Sequence, residues 1–416
     1  MARGNRMRIA ALVVAAAAAL AACSSSGGGN GKASSSPPAE STAPSSASST
    51  AAAPTGSPIV IGTVGTFSGF AAATTIGAKY ALQVWTKYVN ANGGVDGHPV
   101  KLIVKDDGGS ATKALAGVKQ MVEQDKIVAI VGEHDSGLES AWTPYITSKH
   151  IPVIGGSATA QQWLTSPLFF PTATTALNTI GLTAYTTKLA GAKKYGLIYC
   201  AEVPACAQAG TLSQGIAKKL GIPFAGSVSI SASSPNYTSQ CLSLKNKGAD
   251  MVFTATALDT SKRFIADCAR QGYKPQYVDN PQNWSKDETK SATWDNSWLS
   301  GDTGLWTTNT PLVKTYKDQM SKAGRDYENA SATAGWFAGE LFKTAVEKSG
   351  ASAVTSASIL AGLYKLGPNF DLGGNIPPVT FTKGKPATQK PCGYFVQLKG
   401  GKATTPKGDG QVCLPG

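Results

Sequence analysis

The sequence predicts an α/β protein of two lobes, each a doubly wound parallel sheet with helices on both faces. Short β-rich runs alternate with amphipathic helical stretches, which is the pattern of βαβ units. The alternation stops near residue 154 and begins again near residue 194, so the chain contains two series of such units. The part from residue 58 onward has about 360 residues, whereas single cores stop growing at about 250–300 residues, which also favours two lobes.

The elements follow from periodicity and from turn residues. The clearest helix has apolar residues at helical spacing over 76–92 and ends at Asn92-Gly93-Gly94, where glycine supplies a left-handed cap. In the first series we predict strands at 59–62, 99–104, 127–131 and 151–154, and further helices at 111–124 and 138–149. In the second we predict strands at 194–199, 224–228, 250–254 and 276–278, and helices at 206–220, 237–247 and 262–271. Helices at 311–323, 329–348 and 353–365 and two β segments within 379–398 complete the chain.

The first 22 residues have the features of an export signal. Three arginines precede an apolar run over residues 9–20, which is too short for a bilayer span of about 20 residues. The run ends in Leu20-Ala21-Ala22-Cys23, which is similar to a bacterial lipobox. That resemblance implies cleavage before Cys23 and a lipid on its sulfur, which would anchor the protein to the outer face of the cell membrane. Ordinary cleavage that leaves a free thiol is the alternative.

Residues 24–57 are almost entirely Ser, Ala, Gly, Pro and Thr, a composition that cannot bury enough apolar surface to become ordered. We interpret residues 23–57 as the lipidated cysteine and a flexible tether. The formal charge of the chain is +13, and about +10 remains once the arginines of the signal are removed. Because the lysines are scattered, we expect contact with anionic lipid and wall polymers and no nucleic-acid partner.

Seven cysteines are present, and assigning Cys23 to lipid leaves six for an oxidising compartment. Six cysteines allow fifteen connectivities. Their positions favour pairs that flank one short segment, join two neighbouring helices, or close the last segment. We predict Cys200–Cys206, Cys241–Cys268 and Cys392–Cys413. The absence of Cys-x-x-Cys, and of histidine beside any cysteine, argues against a metal site.

Four loops that follow predicted strands are rich in Gly, Ser and Thr. In open parallel sheets, ligands bind beyond the carboxyl ends of the strands, and helix N-termini there offer free N–H groups to anions. Plain helix capping by the same residues is the alternative for any one loop. The loops are Thr66–Phe70, Gly132–Gly137, Gly155–Thr159 and Thr254–Asp259.

The sequence offers little support for an enzyme. Ser68 lies in Gly-Thr-Phe-Ser-Gly, which is not a nucleophile elbow, and no zinc, P-loop or dinucleotide motif is present, so no cofactor is expected. His134 lies in a candidate ligand loop and could act as a base. Asp106-Asp107 could act in acid–base chemistry, or cap a helix or support the hinge. Four tryptophans could form an aromatic wall for a ligand or pack between the lobes: Trp284, Trp294, Trp298 and Trp306.

Three segments together resemble the type I periplasmic binding proteins, and most of all their leucine/isoleucine/valine-binding branch. They are Phe67-Ser68-Gly69, Asn92-Gly93-Gly94-Val95-Asp96-Gly97 and Lys105-Asp106-Asp107. The resemblance covers residues 58–400 and implies three crossovers between the lobes, which we place near 172–175, 306–310 and 372–378. It gives a first lobe of residues 58–173 plus 308–374, and a second of residues 174–307 plus 375–416.

The resemblance also implies the binding residues. Ser136 matches a serine that donates to a ligand carboxylate, Ser157 a residue whose carbonyl accepts from an ammonium, and Thr159 a threonine that contacts both groups. In the second lobe, the family's tyrosine aligns with Ala257, and its acidic residue aligns near Pro281. Either Asp279 takes the place of that acidic residue or the ligand lacks an ammonium group. The full expected set is Ser68, Phe70, Ser136, Ser157, Ala158, Thr159, Ala257, Asp279 and Gln282.

The function that the resemblance implies is capture of an amino-acid-like, carboxylate or amide solute for an ABC importer. The partners would be the solute and a membrane permease, and the protein would be a monomer. Three alternatives remain open: a lipoprotein that presents its closed state to a signalling receptor, a hydrolase that uses His134, and a purely structural lipoprotein.

Overall fold

The computed structural model describes residues 53–202, 204–281, 284–301 and 306–415. The expected export signal, Cys23 and nearly all of the tether lie outside the described residues. Within the described part of the chain, no helix combines the length and the apolar character that crossing a membrane requires.

The first sheet consists of five parallel strands, which confirms the predicted α/β class. The strands are β1 Ile59–Gly65, β2 Val100–Asp106, β3 Ile130–Glu133, β4 Val153–Gly156 and β5 Phe169–Phe170. Their order is β2-β1-β3-β4-β5, with Gly62 of β1 opposite Ile130 of β3. The intervening helices are α1 Ala72–Ala91, α2 Ala111–Glu123, α3 Glu139–Lys149 and α4 Gln162–Thr165.

The second sheet is also largely parallel. It includes β6 Tyr195–Cys200, β7 Phe224–Ile230, β8 Met251–Ala255, β9 Gln276–Asp279 and β10 Ser297–Gly301. The helices of this region are α5 Ala176–Leu189, α6 Pro204–Lys219, α7 Thr238–Asn246, α8 Leu258–Arg270 and α9 Lys286–Thr289. The sequence analysis did not predict α5 or β10.

The chain then returns to the first sheet. Helices α10 Pro311–Lys322, α11 Ala330–Ser349 and α12 Ser356–Tyr364 follow. Helix α11 packs closely against α1. A Cβ atom at Gly335 would lie only 2.5 Å from the carbonyl oxygen of Ala78, so glycine is needed at this contact. Thr310, Asn329 and Thr355 cap the three helices with side-chain oxygens that accept a backbone N–H.

The last segment closes the second sheet. Its strands are β11 Val379–Thr380, β12 Thr388–Gln389, β13 Cys392–Lys399, β14 Lys402–Thr404 and β15 Val412–Cys413. Strand β13 runs antiparallel to β10, and the second sheet has the order β14-β13-β10-β9-β8-β6-β7, with β15 also paired to β13. Strands β11 and β12 form a separate two-stranded sheet.

Each main sheet is buried on both faces, as βαβ units require. On the first sheet, Ile61 packs with α1 and α11, and Ile130 packs on the other face with α2 and α3. On the second, neighbouring residues of β6 point to opposite cores: Leu197 contacts the α5 and α6 side, and Ile198 the α7 and α8 side.

The segment before the last strands contacts both sheets. Ile376, Val379 and Phe381 pack in the core beneath the first sheet. The carbonyl oxygen of Gly374 accepts a hydrogen bond from Tyr394, and the chain joins the second sheet at Cys392. This segment therefore links the two sheets.

Three disulfides are present, and they join the same cysteines that the sequence analysis pairs. Cys200–Cys206 links the end of β6 to the first turn of α6. Cys241–Cys268 joins α7 to α8. Cys392–Cys413 joins directly opposed residues of β13 and β15.

Candidate functional site

A cavity of about 560 Å³ lies where the carboxyl ends of the strands of both sheets meet. We name its two sides by the sheet that supplies them. The first-lobe wall comprises Thr74, Thr75, His134, Ser136, Gly137, Ser140, Ser157, Thr159, Ala160, Gln161 and Gln162. The second-lobe wall comprises Ala176, Thr179, Ile180, Cys206, Ala209, Phe253, Ala255 and Asn280.

Two other hollows are lined by the first lobe alone. A groove of about 900 Å³ runs between Leu360 and Tyr364 of α12 and the end of α3. A hollow of about 570 Å³ lies between α1 and α10, beside Tyr80 and Arg325. The cavity between the lobes is the candidate site because residues from both sheets converge on it at their carboxyl ends, where ligands of such sheets bind.

The first-lobe wall presents hydroxyl groups on two loops. Ser136 follows β3 in a left-handed conformation, with φ of 56°, and Gly137 after it has φ of 93°. These residues lead into α3, whose first turn carries Ser140. On the next loop, the hydroxyl oxygens of Ser157 and Thr159 lie 3.4 Å apart. The backbone N–H of Ser157 donates to the Glu133 carbonyl at 3.0 Å, which holds the two loops together.

His134 also lines the cavity, although its side chain is only 1% exposed. Its Nδ1 lies 3.3 Å from the carbonyl oxygen of Gly132. Burial lowers the pKa of His134 to about 4, so the imidazole is neutral at pH 7. Its Nε2 has no hydrogen-bond partner among the described residues.

Three buried carboxyl groups lie beneath the first-lobe wall. One oxygen from each of Glu133, Asp135 and Glu139 lies within 4.8 Å of the others. Burial, and then the charge of a neighbouring carboxylate, raises the pKa of each group well above its usual range. The folded cluster therefore holds its protons to a higher pH than exposed carboxyl groups do.

Hydrogen-bond donors reach some of the oxygens of this cluster. The indole N–H groups of Trp142 and Trp163 donate to Asp135 and Glu139, and the backbone N–H of Asp135 donates to Glu133 at 2.9 Å. The Oε2 atoms of Glu133 and Glu139 have no hydrogen-bond partner among the described residues. The oxygens are close enough together to bind a cation, and a shared proton would also hold them together.

The second-lobe wall has a different chemistry. Phe253, Ile180 and three alanines supply an apolar surface, and Asn280 and Thr179 are its polar side chains. Cys206 places the disulfide of the β6–α6 loop at this wall. Among the described residues, neither wall contains an Asp, Glu, Lys or Arg side chain.

Three of the expected binding residues line the cavity: Ser136, Ser157 and Thr159. Ala158 lies between two of them, but its side chain is in the core and its carbonyl oxygen accepts from the Ala176 N–H at 3.2 Å. Ser68 is exposed and does not line the cavity. Phe70 lies in the short 3-10 turn Gly69–Ala71, just before Thr74 and Thr75, which line the cavity.

The expected second-lobe residues do not form the wall. Ala257 is exposed at the start of α8, and Ala255, two residues earlier, lines the cavity. Asp279 is fully buried off the wall, and its Oδ1 accepts from the Asn280 N–H at 2.6 Å. Gln282 lies outside the described residues. Sequence reasoning missed the contributions of α5 and α6, since it took ligand residues only from the loops before helices.

Comparison with known proteins identifies the family to which the chain belongs. Residues 58–403 match the family described as periplasmic binding protein. An "Amino acid binding protein" of Pseudomonas aeruginosa is 32% identical over 80 residues, so the match spans only 18% of this chain and 20% of that protein.

Solved structures share the fold at low sequence identity. A branched chain amino acid ABC transporter protein from Thermus thermophilus, with bound valine, superposes with a TM-score of 0.72 at 15% identity, covering 83% of this chain and 94% of that one. A solute binding protein of an ABC transporter from Rhodopseudomonas palustris, in complex with p-hydroxybenzoic acid, gives 0.68 at 16% identity, covering 86% and 97%. With the family match over most of the chain and two α/β lobes around one cavity, this protein belongs to the periplasmic binding protein family and has its type I fold.

Proposed function

We propose that this protein captures a small solute in the cavity between its lobes and delivers it to the permease of an ABC importer. The observation that carries the proposal is the cavity itself, which is lined by the strand ends of both sheets and has hydroxyl groups on one wall and an apolar surface on the other. A concave site in which polar groups converge beside an apolar surface is typical of small-molecule sites.

The first-lobe wall is suited to bind a carboxylate. Ser136, Ser157 and Thr159 offer hydroxyl donors, and α3 begins beside them, so its first N–H groups and partial positive charge face an anion. The named ligands of the two solved relatives, valine and p-hydroxybenzoic acid, both carry a carboxylate. We propose that the solute of this protein does too.

Closure of the lobes would complete the site. Gln389 lies at the hinge, where its Oε1 accepts from the Thr175 N–H at 3.1 Å and its Nε2 donates to the Ala173 carbonyl at 2.9 Å. It thereby ties the first crossover to the third. Solute docks on the first-lobe wall, the second-lobe wall closes over it, and the closed form engages the permease.

We propose binding without turnover. A base that activates a nucleophile must be hydrogen-bonded to it, or nearly so. The Nδ1 atom of His134 contacts the Gly132 carbonyl oxygen, and no described hydroxyl donates to its Nε2 atom. The relatives are likewise named for binding. Incubation of candidate solutes with the protein, followed by mass spectrometry, should return them unchanged.

Membership of this family implies a location outside the cytoplasm. We further propose that lipid on Cys23 anchors a monomer to the membrane. Mass spectrometry of the N-terminal peptide tests the lipid, and light scattering of detergent-solubilised protein tests the monomer.

The binding proposal is tested by removing two hydroxyls of the first-lobe wall. Ser136→Ala with Thr159→Ala should weaken solute affinity by about 100-fold or more, because hydrogen bonds to a charged group contribute about 1.5–3 kcal/mol each. Ser148→Ala with Thr165→Ala is the matched control, since both hydroxyls are exposed away from the cavity. Calorimetric affinities that match the wild type in the wall variant would refute this site.

A further inference from the structure

We infer that the solute is a carboxylate with an apolar body and no ammonium group. The inference rests on the proposed function and narrows its ligand class. It follows from three properties of the cavity: the helix ends that surround it, the charges that its walls lack, and the apolar surface of the second lobe.

Four helices contribute residues of their first two turns to the cavity. They are α1 through Thr74 and Thr75, α3 through Ser140, α5 through Ala176 and Thr179, and α6 through Cys206 and Ala209. Each is longer than two turns, so each N-terminus carries a partial positive charge and N–H groups that have no acceptor within the helix. The first N–H group of α1 and that of α5 already donate to the carbonyls of Gly69 and Ala158. Four such ends around one cavity of about 560 Å³ favour an anion.

No described wall residue supplies a negative charge to balance an ammonium group. The part of the lining that the structure describes contains no Asp or Glu side chain, and the neutral imidazole of His134 adds no charge at pH 7. Asp279 is buried off the wall and accepts the Asn280 N–H.

The carboxyl cluster beneath the first-lobe wall is not available either. Glu133, Asp135 and Glu139 are fully buried and do not line the cavity. At least one oxygen of each already accepts an indole or backbone N–H group. An ammonium in the cavity would therefore lose water, lie among four positive helix ends and meet no carboxylate of a described wall residue, which is the costly case for a buried charge.

The second-lobe wall accommodates the rest of the solute. Phe253, Ile180, Ala255 and Ala209 form an apolar surface opposite the hydroxyls. An aliphatic or aromatic body would lie there, with its carboxylate on the first-lobe wall.

Matched pairs of acids test the inference by calorimetry on the purified full chain. The pairs are 4-methylpentanoate with leucine and 3-phenylpropanoate with phenylalanine, which differ only by the α-ammonium, and 4-methylpentanamide tests the need for the negative charge. We expect at least one des-amino acid to bind about 100-fold or more tighter than its amino acid and its amide. Equal or tighter binding of the amino acid, or of the amide, would overturn the inference and leave the proposed function standing. If no acid of either kind binds, and the Ser136→Ala/Thr159→Ala variant alters the affinity of no solute, the proposed function itself fails.

A variant that adds the missing charge gives a second test. Asn280→Asp places a carboxylate on the second-lobe wall with little change of shape, and should shift the affinity ratio of leucine to 4-methylpentanoate about tenfold or more toward leucine. Asn280→Ala is the uncharged control, and Ala255→Asp supplies a second position if Asn280→Asp does not fold. A ratio that stays at the wild-type value in a folded Asp variant would contradict the inference.

Discussion

The two walls of the cavity differ in chemistry and in how the rest of the molecule supports them. The first-lobe wall presents hydroxyls from loops that contain non-glycine residues in the left-handed conformation, Ser136 and Ala158, and it rests on buried carboxyls and tryptophans. The second-lobe wall is mainly apolar, with Phe253, Ile180, three alanines and a disulfide. In the proposed function, the first wall binds a charged group in a fixed geometry, and the second contacts the apolar body of the solute.

The two walls should differ most in the stability that is lost when a glycine beneath each wall is replaced by alanine. Gly155 of β4 has φ of 61°, and a Cβ there would lie 2.3 Å from the Ala338 Cβ and 2.8 Å from its Cα. Gly301, at the end of β10, has φ of 115°, but the nearest atom would be 3.7 Å away. Gly155→Ala should lower the free energy of unfolding by roughly 3–5 kcal/mol, because it combines backbone strain with overpacking.

Gly301→Ala is the matched control. It should lower the free energy of unfolding by roughly 1–3 kcal/mol, through backbone strain alone. Urea denaturation of both variants measures the difference. Equal losses would mean that the packing of α11 against β4 does not fix the first-lobe wall.

The raised pKa values of the buried carboxyls predict that the protein becomes less stable as pH rises. A carboxyl whose pKa is raised on folding contributes stability that is fully present below its unfolded pKa, about 4.3 for Glu, and is lost as pH rises through the folded pKa. Stability should therefore fall as pH rises above about 5. Glu133→Gln keeps an acceptor for the Asp135 N–H and removes a titrating group, so it should raise the free energy of unfolding at pH 8 by about 1–3 kcal/mol and flatten its pH dependence.

The second lobe offers a contrasting glutamate. Glu288 is buried too, but its carboxylate lies 2.8 Å from Lys262 and also accepts from Trp294. Glu288→Gln removes one partner of an ion pair and should destabilise the protein at pH 8. Denaturant titrations at pH 5 and pH 8 compare the two variants, and a Glu133→Gln protein that is less stable than the wild type at pH 8 would argue against protonated carboxyls beneath the wall.

The first-lobe wall could be predicted from the sequence more fully than the second. Ser136, Ser157 and Thr159 follow directly after strands with clear periodicity, so the rule that ligands bind at strand ends finds them. The second-lobe wall draws on α5, which has eight buried residues among its fourteen and therefore no amphipathic pattern to reveal it. Ala255 and Ala209 also line the cavity, but alanine has no functional group that would mark it as a binding residue in a sequence.

The tryptophans illustrate the same limit. Their density suggested either a ligand wall or packing between lobes. Trp284, Trp294 and Trp306 lie in a core that joins second-lobe side chains to Ala330 of α11, and Trp298 lies in the core on the other face of the second sheet. The indole rings of Trp284 and Trp294 pack edge to face with centroids 4.9 Å apart. Composition alone cannot separate such a core from a binding surface, because both are made of the same apolar side chains.

The smallest expected effect separates two disulfides of the second lobe. Cys206 lines the cavity, and its bond to Cys200 holds the start of α6 against the end of β6. Cys392–Cys413 joins β13 to β15, and neither of its cysteines lines the cavity. Replacing both cysteines by serine should cost stability in each case, roughly 2–4 kcal/mol, but only the Cys200→Ser/Cys206→Ser variant should also lose solute affinity, by roughly three- to tenfold.

The reason for this difference is positional. A wall that discriminates by shape needs its backbone held in place, and the β6–α6 loop has the shortest disulfide-closed span of the three, with a sequence separation of 6. Calorimetry on both serine variants, under conditions where each is folded, measures the effect. If the Cys392→Ser/Cys413→Ser variant loses as much affinity as the other, the second-lobe wall is sensitive to the stability of the whole lobe, and the local disulfide has no special part in shaping it.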